Sequence, residues 1–151
     1  MEKWKNNHFV VEINGLQSPA IDEVTGISMG GSTAIEVVDA GTNVSDKISA
    51  GIIKWPPLVL IKIADGSPAD AAFLDWFKVT FDYHDPKAAL QSTIRKNGAI
   101  VKLEYGVEVA RFAFVGAWIR EMIFSDLSAK NEDVAKWTIN LEHSGMYADL
   151  V

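Results

Sequence analysis

Near its C-terminal end the chain reads "VAKWTINLEHSGM", residues 134–146, which sets a carboxylate, an imidazole and a hydroxyl side by side at Glu142, His143 and Ser144. These are the residue types of a hydrolytic triad, in which an acid orients a histidine that deprotonates a serine. From Ala135 onward Trp137, Ile139 and Leu141 alternate with Lys136, Thr138, Asn140 and Glu142, a period of two that predicts a strand whose apolar face His143 continues. Successive side chains of a strand point to opposite faces, so Glu142 and Ser144 point away from His143 and form no local relay. An activated serine also sits on a strained, glycine-flanked turn of the type G-x-S-x-G, which this sequence lacks. His143 is therefore read as a structural histidine at a core edge or an interface, and no catalytic residue is assigned.

The remaining candidates for chemistry end the same way. Without cysteine there is no disulfide framework and no thiolate metal site, and His8, His84 and His143 are far apart with no ligand spacing. Asp82 and Asp85, around Tyr83 and His84, read as a solvated acidic loop, not a cation site. Gly26, Gly30 and Gly31 have neither the lysine nor the following helix that a phosphate-binding loop needs. No metal and no cofactor are expected.

The net charge is −6, and residues 1–75 hold 10 acidic against 5 basic side chains, so nearly all of the excess lies in the first half. No basic cluster is present to attract a phosphate backbone, which argues against nucleic-acid recognition. At 48% hydrophobic and 23% charged, the 151 residues are those of one globular domain, residues 1–151. No apolar run is long enough to span a bilayer, and "MEKWKNNH" lacks the hydrophobic segment of a secretion signal; synthesis and folding in the cytoplasm, without membrane insertion by this subunit alone, are expected.

The elements that would position any site are mostly strands. "HFVVEIN" alternates as a half-buried strand, "GLQSP" reads as a turn, and "EVTGISM" and "STAIEVV" follow as extended segments. Residues 39–51, "DAGTNVSDKISAG", are small and polar with no helical period and read as a long loop of the kind that carries function or stays disordered. "PPLVLIKIAD" is a strand covered on both faces. "SPADAAFLDWFKV" is a helix, capped by Ser67, with Pro68 at its first position and Asp70 in its first turn; Ala69, Ala72, Phe73, Trp76 and Phe77 form its apolar stripe. "DYHDPKAALQSTIRKNG" reads as a loop with one helical turn, in which Asn97 and Gly98 mark a turn. Four strands then follow, "AIVKLEY", "VEVARFAF", "AWIREMIF" and "DVAKWTINLEH", the first two joined tightly at Tyr105 and Gly106. The sum is about eight strands and one helix: a mainly β protein with an antiparallel sandwich or barrel and a helix against it.

Three phrases carry a resemblance. "FVVEINGLQSPAIDEVTGIS", "FLDWF" and "VARFAFVGAWIREMIFSDLSAKNEDVAKWTINLEHSGM" together resemble the tail-tube (inner tube) proteins of contractile phage tails and of phage-tail-like contractile injection systems. In the long loop this chain keeps the family's Gly41 and Asn43 and lacks its proline. The resemblance implies a protomer whose sheet continues into a hexameric ring barrel. Stacked rings would form a hollow conduit that delivers a payload protein or DNA without sequence-specific binding. The implied partners are further copies of the chain, a second tube paralogue, and sheath, baseplate and cap proteins, in a particle that is released or anchored. On this reading Asp39, Gly41, Asn43, Asp46, Lys47 and Gly51 belong to an inter-subunit loop, and the polar sheet residues Glu36, Lys102, Glu104, Lys136, Thr138 and Asn140 are candidates to face the lumen. The rival readings are a monomeric barrel for a small ligand, which would account for the Trp and Phe content equally well, and an enzyme with a dispersed active site.

Overall fold

The computed structural model describes residues 3–14, 16–18, 21–81 and 94–150. Its elements in chain order are β1 (Phe9–Ile13), β2 (Leu16–Ser18), β3 (Ile21–Thr25), β4 (Ala34–Asp39), β5 (Val44–Ser49), β6 (Leu58–Ile63), α1 (Pro68–Thr80), β7 (Lys96–Glu104), β8 (Val107–Phe124), β9 (Lys136–Glu142) and β10 (Gly145–Leu150). Among the described residues the protein is mainly β with one named helix, as the alternation predicts. The main sheet runs β2–β1–β7–β8–β9–β6–β3, with β10 added to β8, while β4 and β5 form a sheet of their own.

β8 organises the molecule. Residues 107–117 pair antiparallel with β7 on one side, and residues 110–115 pair with β10 on the other; residues 118–124 pair instead with β9. The strand therefore belongs to two layers: β2, β1, β7, β10 and its own first half, against its second half with β9, β6 and β3. Val11, Ile13, Ile100, Phe114 and Met146 of the first layer and Leu58, Leu60, Ile119, Ile139 and Leu141 of the second form one buried cluster. The two layers face each other across it. The bend falls at Gly116, whose φ of +63° favours glycine and where a Cβ would lie 2.8 Å from Ser144 Oγ. Around that corner the Gly116 N–H donates to Asn97 Oδ1 at 3.0 Å and the Ser144 N–H to the Val115 carbonyl at 2.8 Å.

The helix forms where expected, with Pro68 in its first turn and Lys78 in its last, and it buries Phe73 and Trp76. Trp76 Nε1 donates to the Ile94 carbonyl at 2.6 Å, which satisfies the indole inside the core. Ser67 has the extended backbone of an N-cap, but its side chain makes no capping hydrogen bond. Asp70 fixes the entry instead: its Oδ2 accepts the Asp65 and Gly66 N–H groups at 3.1 and 3.0 Å. Its Oδ1 lies 2.5 Å from the ammonium of Lys62, a fully buried side chain on β6 that also reaches Asp65 at 3.3 Å. The Ser67 hydroxyl first, then the Ser67 N–H, hold the Asp65 carboxyl down at about 2.

Several local expectations are corrected. Residues 39–51 are not a loop throughout, because Val44–Ser49 is strand β5, paired residue for residue with β4 from Ala34↔Ser49 to Asp39↔Val44. The turn between them is closed by the Asn43 N–H on the Asp39 carbonyl at 2.7 Å, with Asn43 at φ +56°. Asn97 and Gly98 lie inside β7, where a Cβ on Gly98 would come within 2.5 Å of the Glu12 carbonyl oxygen and 2.6 Å of the Phe114 ring; close packing, not a turn, requires glycine there. "VEVARFAF" and "AWIREMIF" are one strand bent at Gly116. Leu16–Ser18, within the expected turn, is β2, and residues beyond Ser144 form β10, so ten strands are present among the described residues. Tyr105 and Gly106 make the expected tight turn, with φ of +51° and +78°. Residues 82–93, which include most of the expected loop with one helical turn and the Asp82–Asp85 cluster, lie outside the described residues.

Candidate functional site

At the opening triad, β9 ends at Glu142 and His143 has left the strand. The imidazole lies between the rings of Trp55 and Phe114, each at a centroid distance of 6.5 Å, and neither of its buried nitrogens has a hydrogen-bond partner. The Ser144 hydroxyl accepts from Arg95 Nη1 at 2.9 Å, and Glu142 faces Arg120 at 3.5 Å. The three residues thus turn to three different partners, and the geometry supplies no general base to the serine.

The lumen candidates fall in three places. Lys136, Thr138 and Asn140 share the face of β9 that points away from the core, behind the fully buried Ile139 and Leu141. Lys136 Nζ donates to Asp22 Oδ2 at 2.8 Å, which raises the Lys136 pKa, and Asn140 Nδ2 donates to Glu121 at 3.3 Å. With Arg120 and Glu142 these side chains share the outer face of the second layer with Val59, Ile61, Ile63, Trp118 and Ile123, which lie opposite them in the neighbouring strands, and on this mixed face both cations are matched by carboxylates. Lys102 and Glu104 lie at one end of β7, in the other layer, where Lys102 Nζ donates to the His8 and Leu103 carbonyls and to Glu104 Oε1 at 2.8 Å; that last bond is the first cause that lowers the Glu104 pKa. Glu36 sits on β4, its carboxylate taken by the Ser45 hydroxyl.

The inter-subunit candidates gather on the arm formed by β4 and β5. Asp39, Gly41 and Asn43 build its tip, where the Gly41 N–H donates to Asp39 Oδ1 at 2.9 Å; Asp46 and Lys47 lie on β5, and Gly51 lies just past its foot. Residues directly opposite in an antiparallel pair share a face. Ile35 with Ile48, Val37 with Asp46 and Asp39 with Val44 form one face; Ala34 with Ser49, Glu36 with Lys47 and Val38 with Ser45 form the other. The first carries four large apolar side chains, yet every residue of both strands is exposed. Ile52 and Ile53, at the foot, are exposed as well. The foot itself is fixed, since Gly31 and Lys54 exchange backbone hydrogen bonds of 2.9 and 2.8 Å, and a Cβ on Gly30 would lie 2.9 Å from the indole nitrogen of Trp55. Reading residues 39–51 by composition alone missed the apolar face because its halves are split across the turn; the alternation of Val44 and Ile48 against Ser45, Lys47 and Ser49 was the available signal.

One cluster of buried side chains lies between the layers, and a pocket of about 250 Å³ beside α1 is lined by Ile13, Asn14, Ala72, Phe73, Trp76 and Lys96. An open cleft of about 660 Å³ at the rim is lined by Asp22, Ile63, Asp126, Leu127, Val134 and Lys136. No group of His, Asp and Glu suited to a metal ion is found among the described residues, and no described helix is long and apolar enough to cross a membrane.

The described residues thus form an antiparallel sandwich with a mixed polar and apolar outer sheet face and an exposed arm that is apolar on one side. Residues 5–147 match the family model of the T4-like virus tail tube protein gp19, and the chain belongs to that family. It is a tail tube structural subunit, a component of a phage tail or of a phage-tail-like contractile injection particle. Its fold is that of a chain in the PVC sheath–tube complex of an extracellular contractile injection system in the extended state, with a TM-score of 0.79 at 16% identity over 99% of this chain and 93% of that one. A chain of the anti-feeding prophage cap, described as the AFP tube terminating cap, gives 0.80 at 18% identity over 100% and 93%. The SPP1 tail tube gives 0.59 at 13% over 99% and 80%. No curated protein matches the sequence.

Proposed function

We propose that this subunit forms head-to-tail hexameric rings that stack into a hollow conduit, and that the face carrying Lys136, Thr138 and Asn140 lines the lumen. The observation that carries the reading is the second layer, which ends on two strands without an outer partner among the described residues: β3 on one side and residues 118–124 of β8 on the other. Two different open edges make a heterologous contact, and a heterologous contact closes into a ring when its rotation allows. Each protomer then acts as one unit, contributes its layer to a shared barrel, and loses two edges that would otherwise recruit strands without control. The arm, at Asp39, Gly41, Asn43, Asp46, Lys47 and Gly51, reaches a neighbouring copy.

The proposed lumen face has these cations paired, Lys136 with Asp22 and Arg120 with Glu142, which weakens their hold on the phosphates of passing DNA. This is physical transport, and the reading assigns the subunit no catalytic role. Sheath, baseplate and cap proteins are the partners that such a tube requires. Negative-stain electron microscopy of the purified protein, with its mass in solution, tests the reading: six-fold rings or stacked tubes are expected, and a strictly monomeric particle at every concentration overturns it.

A further inference from the structure

If β3 and the second half of β8 close the ring, one substantial edge is left over. β10 pairs only with β8 among the described residues, and it presents a six-residue outer edge whose exposed part ends the described chain. The two faces of that edge differ in chemistry. Met146, Ala148 and Leu150 lie opposite Phe114, Phe112 and Ala110, on the side turned to the core. Met146 is buried, but Leu150 on the same side is 73% exposed, an apolar side chain on a core face that no described residue covers. On the other side stand Tyr147 and Asp149, and Asp149 is opposite Arg111. Arg111 already donates to Glu108 Oε1 at 2.9 Å and to Glu12 Oε2 at 3.0 Å, so its guanidinium is engaged by other carboxylates. Asp149 has no ion pair among the described residues.

The arm has the complementary shape. Its strands are six residues long, as is β10, and a two-stranded ribbon with an apolar face needs a further strand or surface to be stable. β5 alternates Val44, Asp46 and Ile48 with Ser45, Lys47 and Ser49, so its apolar residues can continue the side of Leu150 while its polar residues continue the side of Asp149. Charge selects between the arm's strands. β4 would bring Glu36 or Asp39 to Asp149, whereas β5 brings Lys47, whose ammonium has no ion pair among the described residues. We infer that β5 of one copy adds in parallel to the outer edge of β10 of a second copy, with Lys47 beside Asp149, Ile48 over Leu150 and Asp46 beside Ala148. The inference rests on the tube reading and names the surface that receives the arm. It assigns main-chain hydrogen bonds as the source of affinity and one cross-subunit charge pair as the source of register.

The test uses the full chain, which carries no native cysteine to complicate cross-linking. Wild-type protein, Lys47→Asp, Asp149→Lys and the double exchange are compared for sedimentable tubes by microscopy, with folding checked by circular dichroism. Like charges facing each other should lower the tube yield of each single variant about tenfold or more, and the double exchange should restore it. In parallel, Lys47→Cys and Asp149→Cys proteins are assembled together and oxidised; cross-linked dimers should form from the mixture and not from either variant alone. Tubes that form normally with both single charge variants, or that form without the mixed cross-link, overturn the assignment of β10 and leave the tube reading intact. A wild-type protein that makes no assembly overturns the tube reading itself, and this inference with it.

Discussion

The arm and the β8–β9–β10 ribbon are built alike, as antiparallel pairs with alternating side chains, yet they differ in everything burial confers. On the ribbon, Ala110, Phe114, Ala117, Ile119, Ile139 and Leu141 are closed from solvent, because a second layer lies across their face. On the arm the equivalent apolar row of Ile35, Val37, Val44 and Ile48 has no layer of described residues across it, and each side chain is about half exposed. Strand alternation therefore prepares a face for burial without deciding who buries it. In the ribbon the partner is the same chain. On the proposed tube reading it is another molecule in the arm, and the stability of the protomer should then be indifferent to the arm's composition.

The comparison can be broken most severely at its buried end. Lys62→Ala removes the counterion from Asp70 beneath the first turn of α1, and breaking a buried pair from one side should cost about 3–5 kcal/mol, read as a fall in the denaturant midpoint. Leu141→Ala, in the ribbon, leaves a cavity between layers and should cost about 2–5 kcal/mol by the same measurement. The paired change Val37→Ser with Ile48→Ser on the arm should leave protomer stability within about 0.5 kcal/mol of wild type. It should nevertheless shorten or abolish tubes under the microscope. An equal loss of protomer stability in arm and ribbon variants would dissolve the distinction.

The smallest effect is electrostatic. Asp65 titrates at about 2 in the folded protein, below its ordinary value of 3.8, so its contribution to stability is complete above pH 4 and is lost as the pH falls through about 2. Asp65→Asn should flatten the acid limb of a stability profile over that window and leave the neutral region nearly unchanged, since the carboxylate is solvent-accessible and screened.

The strands were legible in the sequence where one face is buried by the chain itself. Trp137, Ile139 and Leu141 announce β9, and Phe9, Val11 and Ile13 announce β1, because a core selects against polar residues on that side. The helix was equally clear from Pro68, Asp70 and its stripe, although its cap was not, since the carboxylate that ties the loop belongs to Asp70 and the ammonium it meets comes from another element. β5 was hidden because its weak alternation is relieved of core packing. The continuity of β8 was hidden because a glycine in mid-strand looks like an ending; only the approach of Ser144 shows that Gly116 is a bend. Of the candidate surfaces, Lys136, Thr138 and Asn140 share one face as alternation requires. That Lys102 and Glu104 belong to a different layer depends on strand order, which no local pattern encodes.

β8 carries one further consequence. Since it runs unbroken from one layer into the other, with β9 and β10 following beside it around the same corner, the layers meet along a covalent path and a row of backbone hydrogen bonds. A load that shears one layer past the other meets that strand and its neighbours as well as the packed side chains between the layers. The bonds beside it then bear the load together, so the subunit resists such a thrust as a single girder.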